Sequence, residues 1–520
     1  MSGGQPERGP VAELANDPPA VQPQPHTLGS ASLTPEPEQL DRSLVRGVAW
    51  TGSVKWLIQL VSWPITIITA RILSPSDYGV LASITVYTSA IRMLTEAGVG
   101  AAIVSGPLLS ESRLRQINAL STAISTAAFL LILAVAWPLM RALDRVDLFP
   151  IVIAYSSTLV LEGLTLVPNA RVRRDFRFKE LALVEAGRNI ADQGVTLVLA
   201  FAGAGLWSLV TGYATGMVVS TVLLIAIGPT GFARPILDEL RGVMRYSAQM
   251  VLRNTASYLA SSSDKIVGGR VVASGDLGGY VFAGILALAP VEKVTSIITR
   301  VTPALFGRVR DDKAVMRRYV LRITEIIALF TLPAFAGLAL VADDLVAVVL
   351  GPKWASVVTP LRWFSVYAAL TEFTAIIGHA LQASDDIRPL ARNAVAGLFL
   401  YPIGFVVGAW LYGANGLALT WAVVGPGLAL HLLLVLCRRI ELPLGEYVRN
   451  LVPTFVCTGI MVATVLAVRA APGLPAGAWR LGAAALTGAA TYALVGATVY
   501  RTRTRQLVEF ARRQRAAAAA

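Results

Sequence analysis

The stretch 393–437 runs 45 residues without one Asp, Glu, Lys or Arg, and 193–233 runs 41. A helix crosses the hydrocarbon of a bilayer with about 20 apolar residues, so each stretch has the length of two crossings. The breaks fall at Gly203-Ala204-Gly205 and Gly413-Ala414-Asn415-Gly416, two tight turns. Residues 116–140, 450–468 and 481–500 are further uncharged runs of crossing length. Stretches near 47–70, 79–103, 149–168, 180–201, 243–269, 278–304, 321–342, 356–382 and 388–411 keep that length with isolated charges. The expected fold class is all-α, a polytopic membrane protein of about 14 transmembrane helices. Composition agrees: 15% of the 520 residues are charged, where soluble chains carry about 25%.

A net charge of +13 would point to nucleic acid in a soluble protein. Here the basic residues sort by loop. With fourteen helices, the connections after helices 2, 4, 6, 8, 10 and 12 hold 21 Lys and Arg, and the seven odd connections hold 8. Cytoplasmic loops collect Lys and Arg, so both termini are expected in the cytoplasm and no nucleic-acid partner is expected. Residues 1–42 carry eight prolines and six acids, the composition of a disordered tail. Residues 501–520 form a basic cytoplasmic tail.

A longer period is also present. Arg71, Asp77 and Gly79 recur as Arg270, Asp276 and Gly278. Further on, Pro150, Glu162, Ala170, Asp175 and Gly187 recur 210 residues later as Pro360, Glu372, Ala380, Asp385 and Gly397, and the turn at Gly203 lands on Gly413. Two pseudo-symmetric six-helix lobes are expected, 43–236 and 237–440, with two extra C-terminal helices in 441–500. Transporters with repeated halves bind substrate between them and alternate which side is open.

Ionisable groups on a spanning helix are costly unless they face water or a partner. Helix 1 lines up Thr51, Lys55, Gln59, Ser62, Thr66 and Thr69 at spacings of three and four, and helix 2 lines up Thr85, Thr88, Arg92 and Thr95–Glu96. Helix 7 carries Arg253, Ser257, Ser261 and Asp264–Lys265; helix 8 carries Glu292–Lys293, Ser296 and Arg300. One shared basic cavity follows, with Lys55, Arg92, Arg253, Lys265, Lys293 and Arg300 as substrate-binding cations for a multiply charged anion such as a pyrophosphate. Glu96, Asp264 and Glu292 are the ion-coupling candidates. The competing reading is local pairing, Arg92 with Glu96 four residues on and the others across helices. Trp56, Tyr87 and Tyr258 are candidates to stack on sugar rings.

Other features read as structure. There is no phosphate-binding G-x-x-x-x-G-K-[ST] run, and no catalytic or metal site is expected: the chain reads as no enzyme. No cofactor is expected, with H⁺ or Na⁺ as the coupling ion. His379 reads as a packed residue. Asp343-Asp344, followed by Gly351-Pro352-Lys353-Trp354, reads as a surface dip at the membrane interface, where Trp is favoured.

The segment Ala70–Gly79, reading ARILSPSDYG, resembles the opening of bacterial polysaccharide-repeat flippases. These are the Wzx-like, polysaccharide-transporter branch of the multidrug/oligosaccharidyl-lipid/polysaccharide exporter superfamily. Ala97–Val104, Arg173–Lys179, Gly205–Val210 and Leu350–Trp354 are similar to later segments of that family, in the same order, so the likeness runs from about 44 to 440. It implies a two-lobed helical fold that translocates polyprenyl-pyrophosphate-linked oligosaccharides across the bacterial inner membrane, for capsule, exopolysaccharide or O-antigen assembly. The implied partners are the lipid-linked oligosaccharide, membrane lipids and polysaccharide polymerase machinery. A multidrug or cation exporter of the same superfamily is the alternative, disfavoured because six cations would repel a cationic drug. An integral-membrane polymerase is disfavoured by the duplication and the short outer loops.

Overall fold

An apolar run with no water around it satisfies its backbone internally as a helix, and the described residues hold helices, turns and no strand. The computed structural model describes residues 58–96, 110–142, 145–175, 177–236, 258, 261–383 and 388–500. In chain order the helices are α1 Ile58–Ile72, α2 Pro75–Glu96, α3 Glu111–Ala142, α4 Phe149–Ser156, α5 Thr158–Arg174, α6 Phe178–Phe201 and α7 Leu206–Ile227. They continue as α8 Ser263–Val271, α9 Ser274–Arg308, α10 Lys313–Val349, α11 Val358–Ala383, α12 Arg388–Arg439, α13 Leu444–Ala470 and α14 Ala478–Val499. Every stretch expected to cross overlaps one of these helices. By length and composition, eight stretches among the described residues can cross a membrane.

Two helices depart from simple rods. The expected crossing at 149–168 is α4 and α5, separated by a turn at Ser157. At 1.5 Å per residue, the 52 residues of α12 would reach about 78 Å, more than twice the hydrocarbon thickness. Gly413 at φ 58° folds it back into two arms. The equivalent turn in the first half, between α6 and α7, has Gly203 at φ 79°. Both turns therefore use the left-handed backbone that glycine adopts at least cost.

The motif at 70–79 is a helix junction. Ser74 precedes α2 with Pro75 at its first position, where the missing N–H is no loss. The Asp77 carboxylate accepts from Ser74 N at 2.8 Å and from Ser74 Oγ at 2.7 Å, while Asp77 N donates back to Ser74 Oγ at 3.3 Å. This is a reciprocal cap of the first turn. The second copy has Ala273 in the place of Ser74 and lacks the side-chain cap.

The two copies meet. A Cβ on Gly79 of α2 would lie 1.9 Å from Ser274 O of α9, and a Cβ on Gly278 would lie 1.7 Å from Pro75 O. Pro75 and Ser274 are themselves equivalent positions, each four residues before its glycine. The halves thus cross backbone to backbone with two-fold reciprocity, an approach only glycine permits.

Beside this crossing, the chain ends of α1 and α10 cap each other. Trp354 Nε1 donates to Ala70 O at 2.8 Å, and Lys353 Nζ donates to Arg71 O at 2.6 Å and Ile72 O at 3.2 Å. In return the Arg71 guanidinium donates to Val349 O at 2.7 Å and to Val348 O. Each helix ends with carbonyls that lack an intrahelical partner, and a cation at that end also suits the helix dipole. The surface-dip expectation is corrected here: Trp354 is 0% exposed, packed between Tyr78 and Phe282. We refer to this side of the molecule as the Arg71 end and to the other as the Arg171 end.

The largest buried clusters lie in the second half. One joins Tyr280, Phe282, Trp354, Phe364 and Phe405, with Ala70 of α1 packed into it. The other joins Phe306, Phe335, Phe373 and Leu436 to Tyr447 of α13. Helices α13 and α14 are also fastened at the Arg71 end by the two aspartates of α10. Arg480 Nε donates to both Asp344 oxygens at 3.0 Å, Arg469 donates to Asp343 Oδ2 at 2.9 Å, and Arg362 donates to the same oxygen at 2.6 Å. Asp344 is 2% exposed. Asp344 is thus a buried ionic anchor, not part of a surface dip, while Asp343 beside it stays part-exposed.

Candidate functional site

Of the six expected cations, Arg92 and Lys265 are described in full. Lys55 and Arg253 lie outside the described residues, as does Trp56. Lys293, Arg300, Glu96 and Glu292 lie on described helices, and their side chains fall outside the description.

Arg92 sits one turn from the end of α2 and points at α5. Its Nη1 lies 3.2 Å from Glu162 Oε1, and the Tyr213 hydroxyl of α7 donates to the same oxygen at 3.3 Å. The Glu162 side chain is 7% exposed and that of Arg92 33%. Burial of this kind demands a partner, and three helices supply it. Tyr155 of α4 stacks on Tyr213 at 4.9 Å, and the Arg188 guanidinium of α6 lies 5.5 Å from the Tyr213 ring centre. The space left among Thr88, Ser89, Tyr155 and Tyr213 is 10 Å³, about one water at most. That space is too small for a phosphate. Glu162, 70 residues away, is thus a partner of Arg92; the expected pairing with Glu96 falls on a side chain outside the described residues.

Asp264 begins α8 and is 4% exposed. The Tyr280 hydroxyl of α9 donates to its Oδ2 at 2.5 Å, and Trp421 Nε1 of α12 donates to the Tyr280 oxygen at 3.0 Å. Its other oxygen accepts no hydrogen bond among the described residues. Lys265, the next residue, is half-buried; its backbone N donates to Ser262 O at 3.1 Å, and its ammonium forms no ion pair or hydrogen bond among the described residues.

Helices α2 and α8 pack directly. Ser83 lies 3.0 Å from where a Cβ on Gly269 would sit, and the Tyr258 hydroxyl donates to Val86 O at 3.2 Å. Measured along the helices from that contact, Lys265 lies roughly 6 Å and Arg92 roughly 14 Å toward the Arg171 end.

Other candidates separate. Tyr87 is 44% exposed, and Tyr258 is tied to α2. His379 Nδ1 shares a 2.7 Å hydrogen bond with Thr302, which accords with a packed residue. Sequence reasoning missed Tyr213, Tyr280 and Trp421, single polar aromatics inside apolar runs. Glu162 did carry a signal, as the repeat mate of Glu372, which is likewise buried.

Long apolar helices, eight of them able to cross a membrane among the described residues, together with the meeting of α2 and α9 at Gly79 and Gly278, define a multi-pass membrane protein. The chain belongs to the family described as polysaccharide biosynthesis protein, which matches residues 68–359. It is similar to the lipopolysaccharide biosynthesis protein WzxC of Escherichia coli (strain K12), 23% identical over 74% of this chain and 79% of the relative. The succinoglycan biosynthesis transport protein ExoT of Rhizobium meliloti (strain 1021) is 24% identical over 60% of this chain and 64% of its own length. Among solved structures, the lipid II flippase MurJ in an inward closed conformation shares the fold at a TM-score of 0.71. That match has 12% identity and covers 87% of this chain and 99% of the other. An inward-facing multidrug resistance MATE family transporter of the MOP superfamily matches at 0.55, with 14% identity over 72% and 94% of the two chains.

Proposed function

We propose that this protein translocates polyprenyl-pyrophosphate-linked oligosaccharide repeat units across a bacterial inner membrane, by alternating access between two six-helix lobes. The observation that carries the reading is the charge placement: Arg92 and Glu162 pair among apolar helices of the first half, and Asp264 and Lys265 lie on α8 of the second half, which packs on α2, in a chain of the polysaccharide biosynthesis protein family. Charge buried at that cost is kept for a charged cargo or a coupling ion, and a pyrophosphate headgroup meets two guanidinium or ammonium groups well. The relatives named for lipopolysaccharide and succinoglycan assembly support the same cargo class.

The chain makes fourteen crossings with the Arg171 end in the cytoplasm, since that end carries Arg113, Arg171, Arg173, Arg174, Arg177, Lys179, Arg308 and Arg317. The state described here is shut at the Arg71 end, by the glycine crossing and the reciprocal caps, so cargo enters from the cytoplasmic side. Lys55, Arg253, Lys293 and Arg300 complete the basic cavity. Uptake of H⁺ or Na⁺ at Asp264, Glu292 or Glu96 supplies the coupling, and polysaccharide polymerase machinery takes the product. No step of this reading makes or breaks a covalent bond in the cargo.

A deletion strain tests the reading, with the lipid-linked repeat unit assayed in each leaflet. Loss of polymer with the unit accumulating in the inner leaflet is the expected result; single units accumulating in the outer leaflet mean a polymerase instead. Lys265→Ala is expected to abolish polymer while membrane levels of the protein stay normal.

A further inference from the structure

A cavity of 660 Å³ opens within the second half, between α11 and the two arms of α12, with Ser261 at its edge. Ligand pockets occupy about 300–1,000 Å³ and set a few polar groups in an aromatic and apolar wall. Here three part-buried rings form the wall: Trp421 lies 4.7 Å from Tyr401 and 5.1 Å from Tyr367, centre to centre. Gly425 makes room for them, since a Cβ there would sit 2.7 Å from the Tyr367 ring. Trp421 is oriented from behind by its bond to Tyr280, which is held in turn by Asp264. On the same arm of α12, about two turns before Tyr401, stands Asn393, whose Oδ1 is buried and accepts no hydrogen bond among the described residues. A buried acceptor without a donor is costly, so Asn393 calls for a hydroxyl or amide from whatever fills the space.

The lining excludes most ligand classes. Among the described lining residues there is no Lys, Arg, Asp or Glu, so they offer no ion pair to a phosphate or a metal ion. A hydrocarbon chain would leave Asn393 unanswered. A neutral pyranose fits both features, with one C–H face to lay on an aromatic ring and a rim of hydroxyls to donate. The cavity edge also borders the proposed phosphate path: Ser261 is one turn from Lys265 on one side and one turn from Tyr258, bound to α2, on the other.

The geometry points to a sugar-binding subsite, formed by Trp421, Tyr401, Tyr367 and Asn393, that reads the glycan of the cargo apart from its pyrophosphate. It rests on the transport reading above. The test is equilibrium binding to the full chain in lipid nanodiscs, using two probes: bare polyprenyl pyrophosphate, and the same lipid carrying the host's repeat-unit glycan. The wild type is expected to bind the glycosylated lipid about tenfold tighter or more. Tyr401→Ala and Asn393→Ala should erase that difference and leave the bare lipid unchanged; Tyr401→Phe, which keeps a ring, should retain most of it.

Variants that keep the full preference overturn the subsite. So do alanine variants that weaken both probes equally, which would mean that the rings only pack α11 against α12. A wild type that binds both lipids equally removes the subsite and leaves the transport reading standing. A wild type that binds neither removes both.

Discussion

The pair Arg92–Glu162 shows what one side chain can decide. Removing Arg92 strands a carboxylate that is 7% exposed, and breaking a buried pair costs about 3–5 kcal/mol. Arg92→Ala is therefore expected to lower the melting temperature in detergent sharply, and Glu162→Gln in that background to restore most of the loss. Equal melting temperatures for the single and double variants would remove the pair as a stabilising unit. Arg92 was legible as the charged member of a polar stripe on α2, because helical spacing is local. Glu162 as its partner was not, since no spacing rule links residues 70 apart. A milder case lies outside the membrane, where the ammonium of Lys313 bonds Glu441 at 2.7 Å and holds its carboxyl below the usual carboxylate range. A depressed folded value means that the pair stabilises at neutral pH and that its contribution fades as pH falls through that value. The melting-temperature gap between wild type and Lys313→Met should be small at pH 7 and close in acid.

At the scale of elements, the α2–α9 crossing is the least forgiving contact. A methyl at Gly79 meets Ser274 O at 1.9 Å, far inside contact distance, and backbone cannot swing aside as a side chain can. Gly79→Ala should lower both melting temperature and polymer yield, and Gly79→Leu should abolish assembly. Gly275→Ala, with nothing within 4 Å of the added carbon, should leave both unchanged. Loss from Gly275→Ala equal to that from Gly79→Ala would mean that helix entry, and not crossing, sets the sensitivity. The sequence marks both glycines through the recurring Arg, Asp and Gly, because duplication preserves spacing. It carries no sign that the two copies touch each other. Likewise the segments at 70–79 and 350–354 each look local, yet one caps the other across 278 residues.

At the scale of the whole molecule, the helices were readable because the bilayer fixes their length and their charge-free character. What escaped was the attachment of α13 and α14. They stand outside the repeat and much of their surface is exposed, which fits a lipid-facing addition. One end of each is nevertheless locked to α10 through Asp343 and Asp344. Neighbouring aspartates look like a surface feature until Arg469 and Arg480, more than 120 residues later, fold onto them. Asp344→Ala is expected to free that end, seen as faster amide exchange over 469–482 with exchange in α2 and α9 unchanged. Unaltered exchange over 469–482 would show that apolar packing alone holds the pair.

The glycine crossing has a bearing on how the chain can vary. In a two-fold contact each surface meets its own copy, so residue i touches j and j touches i. Gly79 against Ser274 and Gly278 against Pro75 is such a contact within one chain. Between two separate copies of one half, a single mutation strikes both sides of such a contact at once. In one chain each glycine varies separately, and the caps already differ: Ser74 has a side-chain partner and Ala273 has none.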